Sequence, residues 1–350
     1  MFRRNVVQIK NDCYVTELSF VCHAYGIDQR ERIIDLINAI SKPQRILLSG
    51  GSGLLGTAVR QALEGRRASV LQLVRRDPAG SGQMRWDPAE SIPVADSGPL
   101  EGLDAAIHLS GASVAARRWT PSWKREIWRS RVESTRSLAG TLAELRQPPK
   151  VLLLASATGF YGNRGDELLD ERSSPGRGFL ADLCVEWEAA ARPAMKAGIR
   201  VVNLRFGVVI AGGGGALAKM LPLFRLGLGG RLGSGEQWMS WIVLEDAARA
   251  TLFALESPAL KGPVNVTAPK SVTNAEFTQA LGRVVHRPAI LPAPAFALRL
   301  ALGAMADEAL LASARVIPAK LAEAGFQFAH PTLDAALGAA LGPEAMNGVR

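Results

Sequence analysis

From Arg45 onward, short apolar runs alternate with longer segments whose apolar residues recur every three or four positions. The runs at residues 45–49, 69–74, 105–110, 151–156 and 201–205 read as strands, and residues 54–64, 121–145 and 178–196 read as helices between them. Strands separated by helices imply βαβ units and a parallel sheet. Beyond Gly207 the pattern gives way to Gly-rich loops and isolated helices, ending in a Pro- and Ala-rich tail. The expected architecture is α/β: a doubly wound parallel sheet over residues 43–265, with a smaller C-terminal α+β lobe over 266–350 that holds the substrate.

Residues 1–42 form an expected N-terminal extension. Asp28 and Glu31 make a capping-box-like start to a short helix carrying Ile33, Ile34, Leu36, Ile37 and Ile40. No cleavable leader or transit peptide is evident, since acidic residues appear by Asp12 and Glu17. The most apolar stretch, residues 293–306, is interrupted by Pro294 and Arg299 and is too short for a bilayer. No membrane association and a cytoplasmic location are therefore expected.

Composition narrows the chemistry. With 48% hydrophobic residues the chain has material for a large core. Its three cysteines lack Cys-x-x-Cys spacing, and Cys13, Cys22 and His23 are too loosely spaced to imply a metal site. The net charge of +9 raises nucleic acid as a partner. However, the basic residues are spread along the chain apart from residues 117–136, and no nucleic-acid-binding motif accompanies them. A small anionic ligand needs only a local basic patch.

The most informative segment runs from Arg45 through Ser49 into Gly50-Gly51-Ser52-Gly53-Leu54-Leu55-Gly56. It satisfies both Gly-x-Gly-x-x-Gly and Gly-x-x-Gly-x-x-Gly between an apolar strand and a helix. Glycines there permit the tight turn, let backbone N–H groups approach a pyrophosphate and allow close helix–strand packing. The helix N-terminus adds partial positive charge. This is the signature of a Rossmann-type dinucleotide site. The second strand ends in Arg75-Arg76, where a carboxylate would bind a free ribose 2′-hydroxyl. Guanidinium groups suit a 2′-phosphate, so NADP(H) is favoured over NAD(H), with Asp77 as the residue that keeps NAD(H) in play.

Several further motifs carry a family likeness. The glycine turn, the run from Ala105 to Ala112, Ser156 to Gly162 and Leu204 to Val208 resemble successive motifs of extended short-chain dehydrogenases/reductases. Arg118-Trp119, Ser130-Arg131, Trp187 to Ala190, Gly235 to Ile242 and Val272 to Phe277 resemble its atypical NADP-binding "epimerase family" branch. That branch carries a C-terminal domain of unknown function, which Val316 to Lys320 and the segment from Gly325 resemble, at about residues 290–342. Members are described as oxidoreductases or epimerases, some as cell-division-related proteins. The resemblance implies that Leu109, Ser110 and Gly111 pass beside the adenosine side of the cofactor and that Val208 faces the cofactor as well.

Arg131 has independent support. Positions 127, 131, 135, 138 and 142 share one helical face, which sets this guanidinium among Ile127, Leu138 and Leu142. A buried cation there demands an anionic partner, either a carboxylate or the cofactor. Glu126, on an adjoining face, is a further cofactor candidate.

Catalysis is less legible. Related enzymes place a Tyr-x-x-x-Lys pair on one helix face for proton transfer. Here the positions four residues beyond Tyr14, Tyr25 and Tyr161 hold Leu18, Gln29 and Gly165, and the expected pair positions hold Leu180 and Cys184. The substitutes are Tyr161 as an acid and Ser156 and Thr158 as hydroxyls that orient a carbonyl. Each has a plain structural alternative. Cys184 reads as core, and Asp182, Glu186 and Glu188 as solvated or salt-bridged. Gly212 to Gly215 forms either a flexible cover or a linker, and Gln237, Trp238 and Trp241 either line the cleft or pack the lobe.

Two functions follow: an NADP(H)-dependent oxidoreductase or epimerase-like enzyme acting on an unidentified small molecule, or a weakly catalytic NADP(H)-binding regulator that signals redox state to a protein partner.

Overall fold

The computed structural model describes residues 44–88 and 96–346; the expected 28–40 helix, with Cys13, Cys22 and His23, lies outside them. Five strands arise from the anticipated apolar runs: β1 (Arg45–Ser49), β2 (Ser69–Val74), β4 (Ala105–His108), β5 (Val151–Ala157) and β7 (Arg200–Phe206). With β3 (Gln83–Arg85) and β11 (Gly262–Val266) they form a seven-stranded sheet in the order β11-β7-β5-β4-β1-β2-β3. Every neighbouring pair is parallel. The short strand β3 escapes sequence reading because Gln83-Met84-Arg85 is neither long nor apolar.

The strands are apolar throughout because both faces are covered. Ile46, Leu48, Ile107, Leu153, Val202 and Leu204 point into one core, against α1 (Leu54–Gly65) and α7 (Leu244–Glu256). Leu47, Ala106, Leu152, Leu154 and Val201 point into the other, against α3 (Ser134–Glu144) and α5 (Arg192–Lys196). Burying each such leucine stabilises the fold by roughly 1.5–3 kcal/mol.

Two anticipated helices are interrupted. The segment expected over 121–145 is α2 (Pro121–Trp128), a π-helical turn (Arg129–Glu133) and then α3. The wide turn inserts a residue and changes which way Arg131 faces relative to Leu138 and Leu142. The segment expected over 178–196 divides into α4 (Phe179–Ala189) and α5, which carries Pro193 in its first turn, where the missing N–H costs no hydrogen bond.

The lobe draws on both sides of residue 265. Strands β8 (Val208–Ile210) and β10 (Trp241–Val243) pair with each other, and α6 (Gly215–Arg225) packs with α8 (Asn274–Val284) and α11 (Leu333–Met346) around Ile210, Leu217, Phe224, Trp241, Phe277, Leu281 and Leu337. The four-glycine run touches its surroundings at alternate positions: a Cβ on Gly212 would lie 2.1 Å from the Ala340 carbonyl oxygen and one on Gly214 3.0 Å from Leu54 Cδ1, whereas Gly213 is exposed with open space beside it. At Gly212 and Gly214 the run joins α11 to the start of α1. Trp241 is core, whereas Trp238 borders a cavity. No helix among the described residues is long and apolar enough to cross a membrane.

Candidate functional site

The sheet order reverses at β1, where the chain steps out to β2 and β3 and then returns to β4. A crevice opens there at the carboxyl ends of the strands, the usual place for a ligand in a doubly wound sheet. It is a cavity of about 510 Å³. Gly50 has φ of +74°, and a Cβ on it would stand 2.6 Å from the Leu109 carbonyl carbon. A Cβ on Gly56 would stand 2.0 Å from the Gly50 carbonyl oxygen. The turn is therefore held by contacts that admit only glycine. The Gly53 N–H donates to Gly50 O at 3.0 Å, and Gly53 caps α1 without any side-chain acceptor or any acidic residue in the first turn. The leading amides of α1 are left for an anion.

Gly50, Ser52, Gly53, Arg75, Arg76, Leu109, Ser110, Gly111 and Glu126 all border this cavity. Leu54, Leu55 and Gly56 stand behind it: Leu54 reaches Gly214, Leu55 packs on the sheet core, and Gly56 supports the turn. Asp77 does not border the cavity and pairs with Arg85 at 3.2 Å. Glu126 pairs with Arg129 at 3.0 Å. Sequence reasoning missed Gln72, Gln83 and Trp86 on the same wall, where Ser130 of the Ser130-Arg131 motif also stands. Trp86 is buried, and its indole N–H has no partner among the described residues. The short strand β3 leads into it, and no motif marked that strand.

Arg131 connects this cavity to a second. Its guanidinium lies against Gly111, where a Cβ would stand 3.1 Å from Cζ, and it borders a cleft of about 390 Å³. It donates to Ile127 O at 3.3 Å and sits 5.1 Å from the Trp187 ring centroid, while Trp187 is anchored by its N–H donating to Thr135 at 3.0 Å. Among the described residues no carboxylate pairs with Arg131, which removes the buried-carboxylate alternative. Burial lowers its pKa to about 10.

Ser156, Thr158 and Val208 border the second cleft, as do Leu180 and Cys184, which hold the positions of the missing catalytic pair. Tyr161 does not. It is fully buried, and its hydroxyl donates to Asn265 Oδ1 at 2.7 Å or the Asp170 carbonyl at 2.9 Å while accepting from Arg205 at 3.0 Å. Burial raises its pKa, against the opposing effects of Arg205 and Asn265. The expectation that Tyr161 serves as an acid is corrected: its hydroxyl is enclosed within the protein, out of reach of the cleft. Ser156 borders the cleft, but its hydroxyl donates to Glu188 at 2.7 Å, and Glu188 grips Arg205 in a buried pair. Burial, followed by the Glu188 charge, pushes the Cys184 thiol up to about 12, so it is no base or nucleophile at neutral pH.

Fold and turn together define a Rossmann-type dinucleotide-binding protein. The chain belongs to the NAD-dependent epimerase/dehydratase family, whose profile matches residues 46–267, and a domain of unknown function matches residues 293–340. It is 48% identical over 293 residues to an epimerase family protein of Mycobacterium bovis, Mb2239, covering 84% of this chain and 96% of that one. The human epimerase family protein SDR39U1 is 40% identical over 296 residues, covering 84% and 98% of the two chains. A crystal structure of human SDR39U1 with NADPH superposes with a TM-score of 0.78 at 37% identity, covering 85% of this chain and 99% of that one. A nucleoside-diphosphate sugar epimerase from Corynebacterium glutamicum gives 0.70 at 36% identity, covering 86% of this chain and 59% of that one.

Proposed function

We propose that this chain is an NADP(H)-dependent oxidoreductase of the epimerase family acting on a small carbonyl compound. The observation that carries the reading is Arg131, a buried cation with no carboxylate partner standing between the glycine-turn cavity and the second cleft. A dinucleotide laid along both would supply its missing anionic or polar partner. NADPH, bound in the crystal structure of human SDR39U1, supplies a hydride when it is bound.

The chain's own residues divide the remaining work. The Gly50-to-Gly56 turn and the uncapped start of α1 receive the pyrophosphate. Arg75 and Arg76 line the cavity at the end of β2 and receive the 2′-phosphate. Asp77 pairs with Arg85 at the surface and lies off the cavity wall, which favours the 2′-phosphate over a free ribose hydroxyl. Thr158 offers its hydroxyl to a carbonyl oxygen in the second cleft.

Calorimetric titration with NADPH and NADH tests this directly. Arg75→Ala combined with Arg76→Ala is expected to weaken NADPH binding by at least about tenfold and to leave NADH nearly unchanged. Failure of the parent protein to bind NADPH would overturn the reading. A second reading, a regulator that binds NADP(H) but turns over slowly, draws support from the cleft itself: Tyr161 is enclosed, Ser156 is committed to Glu188, and the Cys184 thiol titrates at about 12. Tight NADPH binding without oxidation by any of a panel of carbonyl compounds would favour it.

A further inference from the structure

The walls of the second cleft say what kind of molecule enters it. Leu180, Leu183, Trp187, Met220, Phe277 and Leu310 make up much of its surface. Its polar groups are largely spoken for. Ser156 donates to Glu188, the Trp238 indole N–H to Asp166 at 2.7 Å, and the Ser240 hydroxyl to the Ala314 carbonyl at 2.7 Å. Asn274 accepts from the Leu232 N–H at 2.7 Å. The Thr158 hydroxyl has no partner among the described residues, and Arg131 keeps most of its donors free.

Charge points the same way. Among the described residues Arg131 is the one basic residue on the wall, and it stands at the side nearest the glycine-turn cavity. The other charged wall residue is Glu308, whose carboxylate accepts from the Leu180 N–H at 2.9 Å. That contact places a negative charge at the N-terminus of α4, the position at which a helix would otherwise attract an anion. A diphosphate brought here would meet a carboxylate, an occupied helix end and hydrocarbon, and would lose its hydration without compensation.

We infer that the second cleft binds an apolar aldehyde or ketone, its carbonyl at Thr158 and its hydrocarbon part against Trp187, Met220 and Phe277, and that it excludes nucleoside-diphosphate sugars. The inference deepens the oxidoreductase reading and rests on it for the cofactor's place. Apolar groups match the wall and gain from leaving water, whereas a sugar would bring several hydroxyls to a surface with few free partners. Thr158 supplies the polar end that orients such a molecule, with Arg131 engaged by the cofactor beside it.

Calorimetry separates the two ligand classes on the full chain saturated with NADP+, using acetophenone and UDP-glucose as probes. Acetophenone is expected to bind at least about tenfold more tightly than UDP-glucose. Thr158→Val, which removes the hydroxyl at nearly constant volume, is expected to weaken acetophenone by about tenfold. Met220→Arg, a charge placed on the apolar wall at a half-buried position, is expected to abolish measurable acetophenone binding while NADP+ still binds. UDP-glucose binding as tightly as acetophenone, acetophenone binding unmoved by Met220→Arg, or no binding of acetophenone would each overturn the inference. The NADP+ titration reports the cofactor reading separately. If NADP+ fails to bind, that reading falls, and the same comparison on the nucleotide-free protein still decides the ligand class.

Discussion

Glu188 grips one edge of the Arg205 guanidinium with both carboxylate oxygens, 2.7 Å from Nε and 2.8 Å from Nη2, with 11% and 3% of the two side chains exposed. The pair links α4 to β7 directly beneath the second cleft. Ser156 donates to the same carboxylate, Arg205 donates to Tyr161, and its guanidinium stacks 3.4 Å above the Phe160 ring centroid. Burial opposes the charge on Arg205, but the Glu188 hydrogen bonds and charge outweigh it and raise its pKa. Removing one partner strands the other. Arg205→Met is expected to destabilise the fold by about 3–5 kcal/mol, read as a lower urea midpoint. An unchanged midpoint would show that the pair contributes little.

Tyr161 belongs to the same network and not to the chemistry. Tyr161→Phe leaves one Arg205 donor and Asn265 Oδ1 without their partner. A loss of about 1–3 kcal/mol is expected, with NADPH affinity and any turnover retained. Turnover that vanished in a folded Tyr161→Phe protein would return this residue to the list of acids.

Arg131 should behave in the opposite way. It gives up hydration on burial with no carboxylate in return, so Arg131→Met is expected to leave thermal stability unchanged or raised. The same substitution should weaken NADPH by about tenfold in a calorimetric titration. A large fall in melting temperature would instead mark Arg131 as a structural strut.

The glycine turn has little room. Gly56→Ala puts a methyl group where the Gly50 carbonyl oxygen stands, so the turn must open. Loss of NADPH binding with a lower melting temperature is the expected outcome. Tight binding in a folded variant would mean that the turn adapts.

Acid sensitivity has a defined source in His108. Burial lowers its pKa from 6.5 to about 4, and its ring lies between Ser49 at 2.5 Å and Ser134 at 3.3 Å. The unfolded chain takes up a proton below about pH 6.5, while the folded chain takes none until about 4. The stability contributed by the neutral ring is therefore complete above pH 6.5 and is lost as the pH falls toward 4, by about 3 kcal/mol in all. Urea midpoints measured across that interval should show this slope, and His108→Gln should flatten it. Equal slopes in the two proteins would place the sensitivity elsewhere.

Much of the fold and of the cofactor turn is legible in the sequence. The five apolar runs became strands because a residue type that avoids water on both faces has few other places to go in a chain of this size. The spacing of Gly50, Gly53 and Gly56 marked the turn because backbone geometry at Gly50 and Gly56 admits no side chain, a constraint local enough to be written in seven residues. Arg75 and Arg76 follow from it by their place at the end of the next strand.

What the tertiary structure decided depended on partners far apart in the chain. Tyr161 looked available for chemistry until Asn265 and Arg205, 104 and 44 residues away in sequence, enclosed its hydroxyl. Glu188 could be read from the sequence only as solvated or salt-bridged, and β7 settled it by placing Arg205 against it. Arg131 sits at the cleft because one π-helical turn shifted a register that 3.6-residue periodicity alone would have kept. Periodicity and turn chemistry are local and survive in the sequence. Which buried polar groups satisfy one another is settled only when distant segments pack together.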